Sequence, residues 1–147
     1  MDQLIVLLTG LPILLISAAA LWLLRRRGPA ATIETSAAGT MTVPVKELMV
    51  RGGFPFFGMT RNSLRPKLSI ERDGIRFRVL KESYWPFSEL ARIDARKSLF
   101  GATLVFANGA QRNTLTASVQ DMEIARQVLA ALPPGLPLAA SAASLRG

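Results

Sequence analysis

The side chains best suited to chemistry in this 147-residue chain are basic and lie close together in the middle of the sequence. Residues 51–81 include eight basic and two acidic side chains, a net charge of +6. The basic residues are Arg51, Arg61, Arg65, Lys67, Arg72, Arg76, Arg78 and Lys81, and the acidic ones are Glu71 and Asp73. Guanidinium and ammonium groups form charge-assisted hydrogen bonds with phosphate. The segment therefore predicts either an anion-binding site or a solvated basic face.

The composition excludes several kinds of active site. The chain has no cysteine and no histidine. Disulfides, cysteine nucleophiles, His-based triads and the Cys and His ligand sets of zinc sites are therefore excluded. A general base would have to be Asp, Glu, Lys or Tyr, and Tyr84 is the single tyrosine. We expect a non-enzymatic protein with no cofactor and no metal.

A second candidate surface is the glycine- and phenylalanine-rich stretch of residues 52–59. Phe54, Phe56 and Phe57 stand there among glycines and a proline, between Arg51 and Arg61. Such a loop could enter a lipid interface or dock on a partner. The alternative is that these rings point into the core from an irregular first strand.

Residues 4–24 carry no charged side chain, and Arg25, Arg26 and Arg27 follow directly. At about 1.5 Å per residue, 21 helical residues would reach about 31 Å, close to the thickness of a bilayer's hydrocarbon core. The pattern predicts a transmembrane α-helix with juxtamembrane arginines. Since the positive charge follows the helix, the positive-inside rule places the N-terminus outside and the remainder in the cytoplasm.

Two other interpretations of residues 4–24 are weaker. A cleaved signal peptide would need a positive region before the apolar run, and residues 1–3 supply none. A buried helix that is apolar on all sides would need a larger protein around it. We therefore predict a single-pass protein of the inner membrane of a bacterium-like cell.

The composition divides the chain into four parts. Residues 1–27 are the predicted anchor, and residues 28–42, rich in Ala, Thr and Ser, are a predicted flexible linker. Residues 43–132 are predicted to form one small β-rich domain. Residues 133–147 begin with two prolines and have few large apolar side chains, which predicts a disordered tail.

Two turn signals organise the predicted domain. Asp73-Gly74 separates two alternating runs and predicts a type I′ hairpin that pairs Ile70 with Phe77. In that register Leu68, Ile70, Ile75, Phe77 and Val79 share the core face, and Glu71 pairs with Arg76 on the other face. Asn108-Gly109 predicts a second hairpin, whose polar returning strand, residues 110–117, is expected to be an edge or solvent-facing strand. Pro86 predicts an edge, bulge or break.

The last predicted element is an amphipathic helix. Ser118 is its expected first residue, and Pro133 is expected to end it. Its apolar stripe comprises Val119, Met122, Ala125, Leu129 and Leu132. The predicted fold is therefore a transmembrane helix followed by an antiparallel meander, or partly open barrel, with a C-terminal capping helix.

The run KLSIERDGIRFRVLKESYWPFSELARI, with the later ATLVFANG and SVQDMEIARQVLAAL, resembles the bacterial pleckstrin-homology-like (PH-like) domains that are often attached to membrane segments. The spacing of Lys67, Arg76 and Arg78 resembles the phosphate-contacting pattern of lipid-binding PH domains. The resemblance covers residues 64–132 and implies a PH-like fold and a binding module.

Together these patterns predict a membrane-anchored, non-enzymatic adaptor whose domain contacts anionic lipid headgroups or a membrane protein. The alternative is a small accessory subunit of a membrane complex, recognised through its transmembrane helix. Nucleic acid is a poor candidate partner, since the chain has no groove-reading or single-strand-binding motif.

Overall fold

The computed structural model describes residues 16–20, 32–52, 59–62 and 64–147. The chain divides into two compact units, Met1–Ala31 and Thr32–Gly147. In the first unit, residues 16–20 are helical. The strands and remaining helices described below belong to the second unit.

The transmembrane helix predicted over residues 4–24 is contradicted. Among the residues that the structure describes, no helix is long and apolar enough to cross a membrane. Of the predicted span, residues 16–20 are described, and the other positions and Arg25, Arg26 and Arg27 lie outside the described residues. A span needs about 20 residues of continuous helix to satisfy its peptide groups in hydrocarbon, and the described helix there covers residues 16–20.

The predicted location is corrected with the helix. A single-pass inner-membrane protein with its N-terminus outside and its domain in the cytoplasm was inferred from that one segment and the arginines after it. The structure describes no spanning helix from which an orientation could follow. The accessory-subunit alternative, which relied on the same helix, stays a prediction.

The second unit is built from two antiparallel five-stranded sheets. Sheet A has the order β1 (Glu34–Thr35), β2 (Met41–Val43), β5 (Lys67–Ile70), β6 (Gly74–Arg78) and β7 (Glu82–Pro86). Sheet B has the order β4 (Met59–Asn62), β3 (Val45–Arg51), β10 (Asn113–Val119), β9 (Gly101–Asn108) and β8 (Leu90–Ser98). A 3₁₀ turn (Phe87–Glu89) and the helices α1 (Met122–Ala131) and α2 (Ala140–Arg146) complete the unit.

The chain crosses from sheet A to sheet B at Pro44. Val43 pairs with Leu68 in sheet A, and Val45 pairs with Val119 in sheet B. Proline has no N–H to donate to a ladder, so sheet pairing stops at Pro44 and resumes with different partners. One extended segment thus belongs to both sheets.

The core lies between the sheets and under α1. Sheet A contributes Leu68, Ile75, Phe77 and Trp85, and sheet B contributes Leu48, Leu104, Phe106 and Leu115, all buried. Helix α1 buries Ile124, Ala125, Val128 and Leu129. The predicted meander or barrel with one capping helix is therefore replaced by two sheets and two short helices among the described residues, because the strand order is broken at Pro44.

The β5–β6 hairpin forms, but not in the predicted register. Ile70 pairs with Ile75, and Leu68 pairs with Phe77, a shift of two residues from the prediction. A two-residue shift keeps each side chain on its face, so the predicted core face is confirmed by burial. Neither Asp73 nor Gly74 has a positive φ, and the type I′ assignment is therefore wrong.

Gly74 is required by close packing. A Cβ there would overlap the Trp85 carbonyl oxygen and would lie 2.7 Å from Tyr84 Oη. Because Gly74 pairs with Pro86 on β7, the missing side chain lets the two strands approach under the Tyr84 ring. The break predicted at Pro86 is confirmed, since β7 ends there and is an edge strand.

The predicted edge position of the second hairpin's returning strand is wrong. β10 lies between β3 and β9 in sheet B, with Leu115, Ala117 and Val119 buried. Because β10 consists mostly of small and hydroxyl-bearing residues, a hydropathy profile does not show which of its side chains alternate into the core. Thr nevertheless suits a pleated surface. Residues 109–112 form the loop, in which Arg112 has φ 54°.

Helix α1 begins later than the sequence predicts. Ser118 belongs to β10, and the N-cap is Asp121, whose carboxylate accepts the Ile124 N–H at 2.9 Å. An acceptor at this position satisfies an N–H group that the first turn leaves open. The stripe is also displaced, with Ile124 and Val128 buried beside Ala125 and Leu129.

The C-terminal residues fold onto sheet B, where the composition had favoured disorder. Ile93 N–H donates to the Pro137 carbonyl at 2.8 Å, and the Ile93 carbonyl accepts from Ala139 N–H at 2.7 Å. These bonds cover part of the outer edge of β8, which would otherwise present open peptide groups. Ala142 on α2 is fully buried.

Asp94 joins this C-terminal segment to β8. Its carboxylate accepts from Ser141 Oγ, from Ala95 N–H at 2.8 Å and from Arg96 Nη2 at 2.9 Å. The hydrogen bond from Ser141, with those from Arg96 and Ala95, lowers the pKa of Asp94 below its ordinary value despite burial. The buried charge is thus satisfied by groups from two elements.

We predict that Gly74→Val destabilises the domain by about 1–3 kcal/mol, because the new side chain must displace the backbone of β7. Thermal unfolding of the full chain would measure the change. Arg72→Ala, at an exposed position of the same turn, is the control and should unfold as wild type does. An unchanged melting temperature for Gly74→Val would contradict the close approach of β6 and β7.

We predict that Asp94→Asn lowers the free energy of unfolding at neutral pH by about 1–3 kcal/mol, through loss of hydrogen bonds to a charged group. The difference between wild type and variant should shrink as the pH falls below 3.8, the ordinary pKa. There the unfolded chain is protonated first, and the stabilisation disappears as the pH passes the lower folded pKa. Urea unfolding at several pH values would measure it.

Asp73→Asn, at an exposed turn position, is the control for this pH series. Its unfolding curves should follow those of wild type at each pH. A constant difference between Asp94→Asn and wild type across the acid range would show that the Asp94 charge does not contribute to stability.

Candidate anion-binding site

Two of the three basic residues predicted to bind phosphate face each other across a strand pair. Lys67 at the start of β5 pairs with Arg78 at the end of β6, and both side chains are exposed. Within the described part of the chain neither has an ion-pair partner, although Glu82 on β7 is the register neighbour of Arg78. These two cations are therefore available to an anion.

The third predicted residue, Arg76, is already engaged. Its Nε lies 2.5 Å from Glu71 Oε1, and its guanidinium stands 5.1 Å from the centre of the Tyr84 ring. The hydrogen bond with Glu71 raises the pKa of Arg76 above its ordinary value. The predicted pairing of Glu71 with Arg76 is thereby confirmed. Of the three predicted residues, Arg76 is the least available to a ligand, because its charge is already paired.

A cavity opens between the two sheets, on the face of sheet A opposite to Lys67 and Arg78. Its volume is about 370 Å³, which is within the range of small-ligand sites. Its apolar lining comprises Val50, Phe77, Val79, Leu80 and Trp85, and its polar lining comprises Thr60, Lys81, Ser83, Gln111 and Asn113. Phe77 and Trp85 meet edge to face, with ring centres 4.9 Å apart.

Lys81 brings a positive charge to the cavity. It belongs to the β6–β7 turn, three residues after Arg78, and its side chain is exposed. We name Lys67, Arg78 and Lys81 the basic end of sheet A. A ligand with an anionic group at Lys81 could place an apolar portion against Phe77 and Trp85.

The sequence analysis identified the cations but not the cavity. Lys67 and Arg78 were predicted from charge and spacing, whereas the lining comes from both sheets and from the β9–β10 loop. No local pattern connects Val50 with Trp85. The one signal in the sequence was Trp85 within WPFSEL, a large ring close to the basic segment.

The remaining predicted site residues cannot be placed. Phe54, Phe56 and Phe57 lie outside the described residues, as do Arg25, Arg26 and Arg27. Among the described residues, no group of three or more carboxylates could hold a metal ion.

Comparison with known proteins identifies no relative: no family profile, curated protein or solved structure matches this chain. The resemblance to bacterial PH-like domains thus stays a prediction.

We predict that the native chain binds the apolar anionic dye anilinonaphthalene sulfonate in this cavity, with its sulfonate near Lys81. Thr60→Phe should reduce the dye's fluorescence by filling the cavity. Thr42→Phe, the same change at an exposed strand position that does not line the cavity, is the matched control. Equal dye binding by both variants would contradict binding in the cavity.

Proposed function

We propose that this protein is a non-enzymatic binding module for an anionic ligand with an apolar portion. An anionic lipid, bound through its headgroup and its first acyl carbons, is an example of such a ligand. The observation that carries the proposal is an apolar cavity with the cation Lys81 among its lining residues. Phe77 and Trp85 line the cavity with Lys81, and the exposed Lys67–Arg78 pair lies on the other face of sheet A.

The charge of the basic end favours an anion. Each basic residue near an anionic surface contributes about 1 kcal/mol, and charge-assisted hydrogen bonds add geometric selectivity. The apolar lining favours a ligand that also buries carbon, because inorganic phosphate alone would leave the cavity unfilled. The combination favours an amphiphilic anion over either a simple anion or a neutral apolar molecule.

The chemistry of the cavity supports binding rather than catalysis. Lys81 is the one charged side chain among the described residues that line it. The buried carboxylate of Asp94 is held by Ser141 and Arg96 and does not line it. A lysine that is the one titratable side chain among the described lining residues can hold an anion but has no partner in the cavity for acid–base catalysis.

The proposal is tested with full-length protein carrying Trp22→Phe, so that Trp85 is the single indole. Monomeric short-chain phosphatidylglycerol should change the Trp85 emission, and added salt should weaken binding. Lys81→Gln should lower the affinity about fivefold, equivalent to about 1 kcal/mol. Arg76→Gln is the matched control and should change it by less than about twofold, because Glu71 already holds this guanidinium.

Two further ligands separate the possible sources of the anion. Vesicles of phosphatidylglycerol test a headgroup presented by a bilayer, and inorganic phosphate tests the anion alone. Equal affinity for short-chain phosphatidylcholine, or no binding of any of these ligands, would contradict the proposed function.

A further inference from the structure

The turn between β8 and β9 exposes two large apolar side chains next to each other. Leu99 is 94% exposed and Phe100 is 69% exposed. Isolated exposed apolar residues are ordinary on protein surfaces, but here an adjacent pair forms the apex of a hairpin. We name residues Ser98, Leu99 and Phe100 the hairpin tip.

The backbone holds the hairpin tip in a defined place. Gly101, directly after it, has φ +145°, a conformation that L side chains rarely adopt. A Cβ at this position would overlap the carbonyl oxygen of Val119 on β10. Because Gly101 packs closely against β10, Leu99 and Phe100 project from a rigid support.

Two lysines lie next to the hairpin tip. Lys46 Nζ on β3 donates to the Phe100 carbonyl at 2.9 Å, and Lys97 precedes the tip with an exposed side chain. Residues 95–107 contain no Asp or Glu. The nearest acids along β8 and β3, Asp94 and Glu47, are each paired with an arginine. Asp121 follows Gln120, which Gly101 approaches, and its carboxylate accepts the Ile124 N–H.

An apolar hairpin tip with two neighbouring lysines, Lys46 and Lys97, matches the chemistry of an anionic bilayer surface. Large apolar side chains insert at the boundary between headgroups and acyl chains, and lysines interact with the phosphates. A second copy of the chain is a poorer occupant, because a stable interface buries about 800 Å² on each partner. Two side chains at a convex turn present much less.

We propose that the hairpin tip inserts Leu99 and Phe100 into the interfacial region of an anionic lipid bilayer, with Lys46 and Lys97 contacting the phosphates. Such a contact is peripheral and does not cross the bilayer. It goes beyond the ligand site at the basic end and rests on different residues.

The hairpin tip and the cavity lie at opposite ends of β9. The tip precedes Gly101, whereas the cavity residues Gln111 and Asn113 follow Asn108. Seven steps of about 3.3 Å separate the two ends of the strand, about 23 Å in all. Membrane contact at the tip would therefore leave the cavity open to its ligand.

The experiment uses the full chain, which has no native cysteine. Ser98→Cys carries an environment-sensitive fluorophore at the tip, and Ala130→Cys carries the same fluorophore at an exposed position of α1 as the control. Vesicles of phosphatidylcholine alone are compared with an equimolar mixture of phosphatidylcholine and phosphatidylglycerol. We expect a blue shift at position 98 with the anionic vesicles and none at position 130.

The double variant Leu99→Ser/Phe100→Ser identifies the source of this shift. It should raise the lipid concentration for half-maximal shift by at least about tenfold, equivalent to about 1.4 kcal/mol. Both positions are exposed, so thermal unfolding should be nearly unchanged. Lys81→Gln should leave the shift at position 98 intact even where it alters the Trp85 response, which separates this inference from the proposed ligand site.

Three results would overturn the inference. These are no shift at position 98, an equal shift at positions 98 and 130, or a shift that survives the double substitution. Loss of the shift in Lys81→Gln would likewise assign the contact to the basic end instead of the tip.

Discussion

The chain segment that crosses between the sheets at Pro44 is the constraint on which the rest of the domain depends. Residues 41–51 pair with β5 on one side of Pro44 and with β10 and β4 on the other. The two sheets are thereby joined covalently at one corner. Because each strand's register is fixed by its neighbour, the orientation of β6, β7, β9 and β10 follows from this crossing.

The sheets enclose a packed core under α1, yet between β3 and the β6–β7 hairpin they leave a cavity of about 370 Å³. Lys81, which lines the cavity, has no ion-pair partner among the described residues. Desolvation of an anion there would be offset by this cation, whereas on the other face of sheet A the Arg76 charge is already offset by Glu71.

The C-terminal segment shows how a polar contact can order a weakly apolar sequence. Residues 137–139 add a short parallel bridge to β8, and Ser141 donates to the buried Asp94. Arg146 Nη2 then donates to the Leu132 carbonyl at 2.6 Å, near the end of α1. These bonds satisfy groups that would otherwise be buried or exposed without partners, so the segment is ordered despite having few large side chains.

The sequence by itself determined the local features of this protein. Alternation placed Leu68, Ile75 and Phe77 on one face, and proline chemistry ended β7 at Pro86, because both depend on a residue and its immediate neighbours. Charge counting likewise identified the basic hairpin.

Only the tertiary structure decided which local signals applied. Gly74 is a packing requirement beneath Tyr84, not a turn requirement, and β10 is central because β3 returns to pair with it. The cavity could not be predicted, since its lining joins Val50 with Trp85 across two sheets. Hydropathy predicted a membrane span over residues 4–24, and no helix among the described residues is long and apolar enough to form one. Contacts between residues distant in sequence depend on sheet order, which no local periodicity encodes.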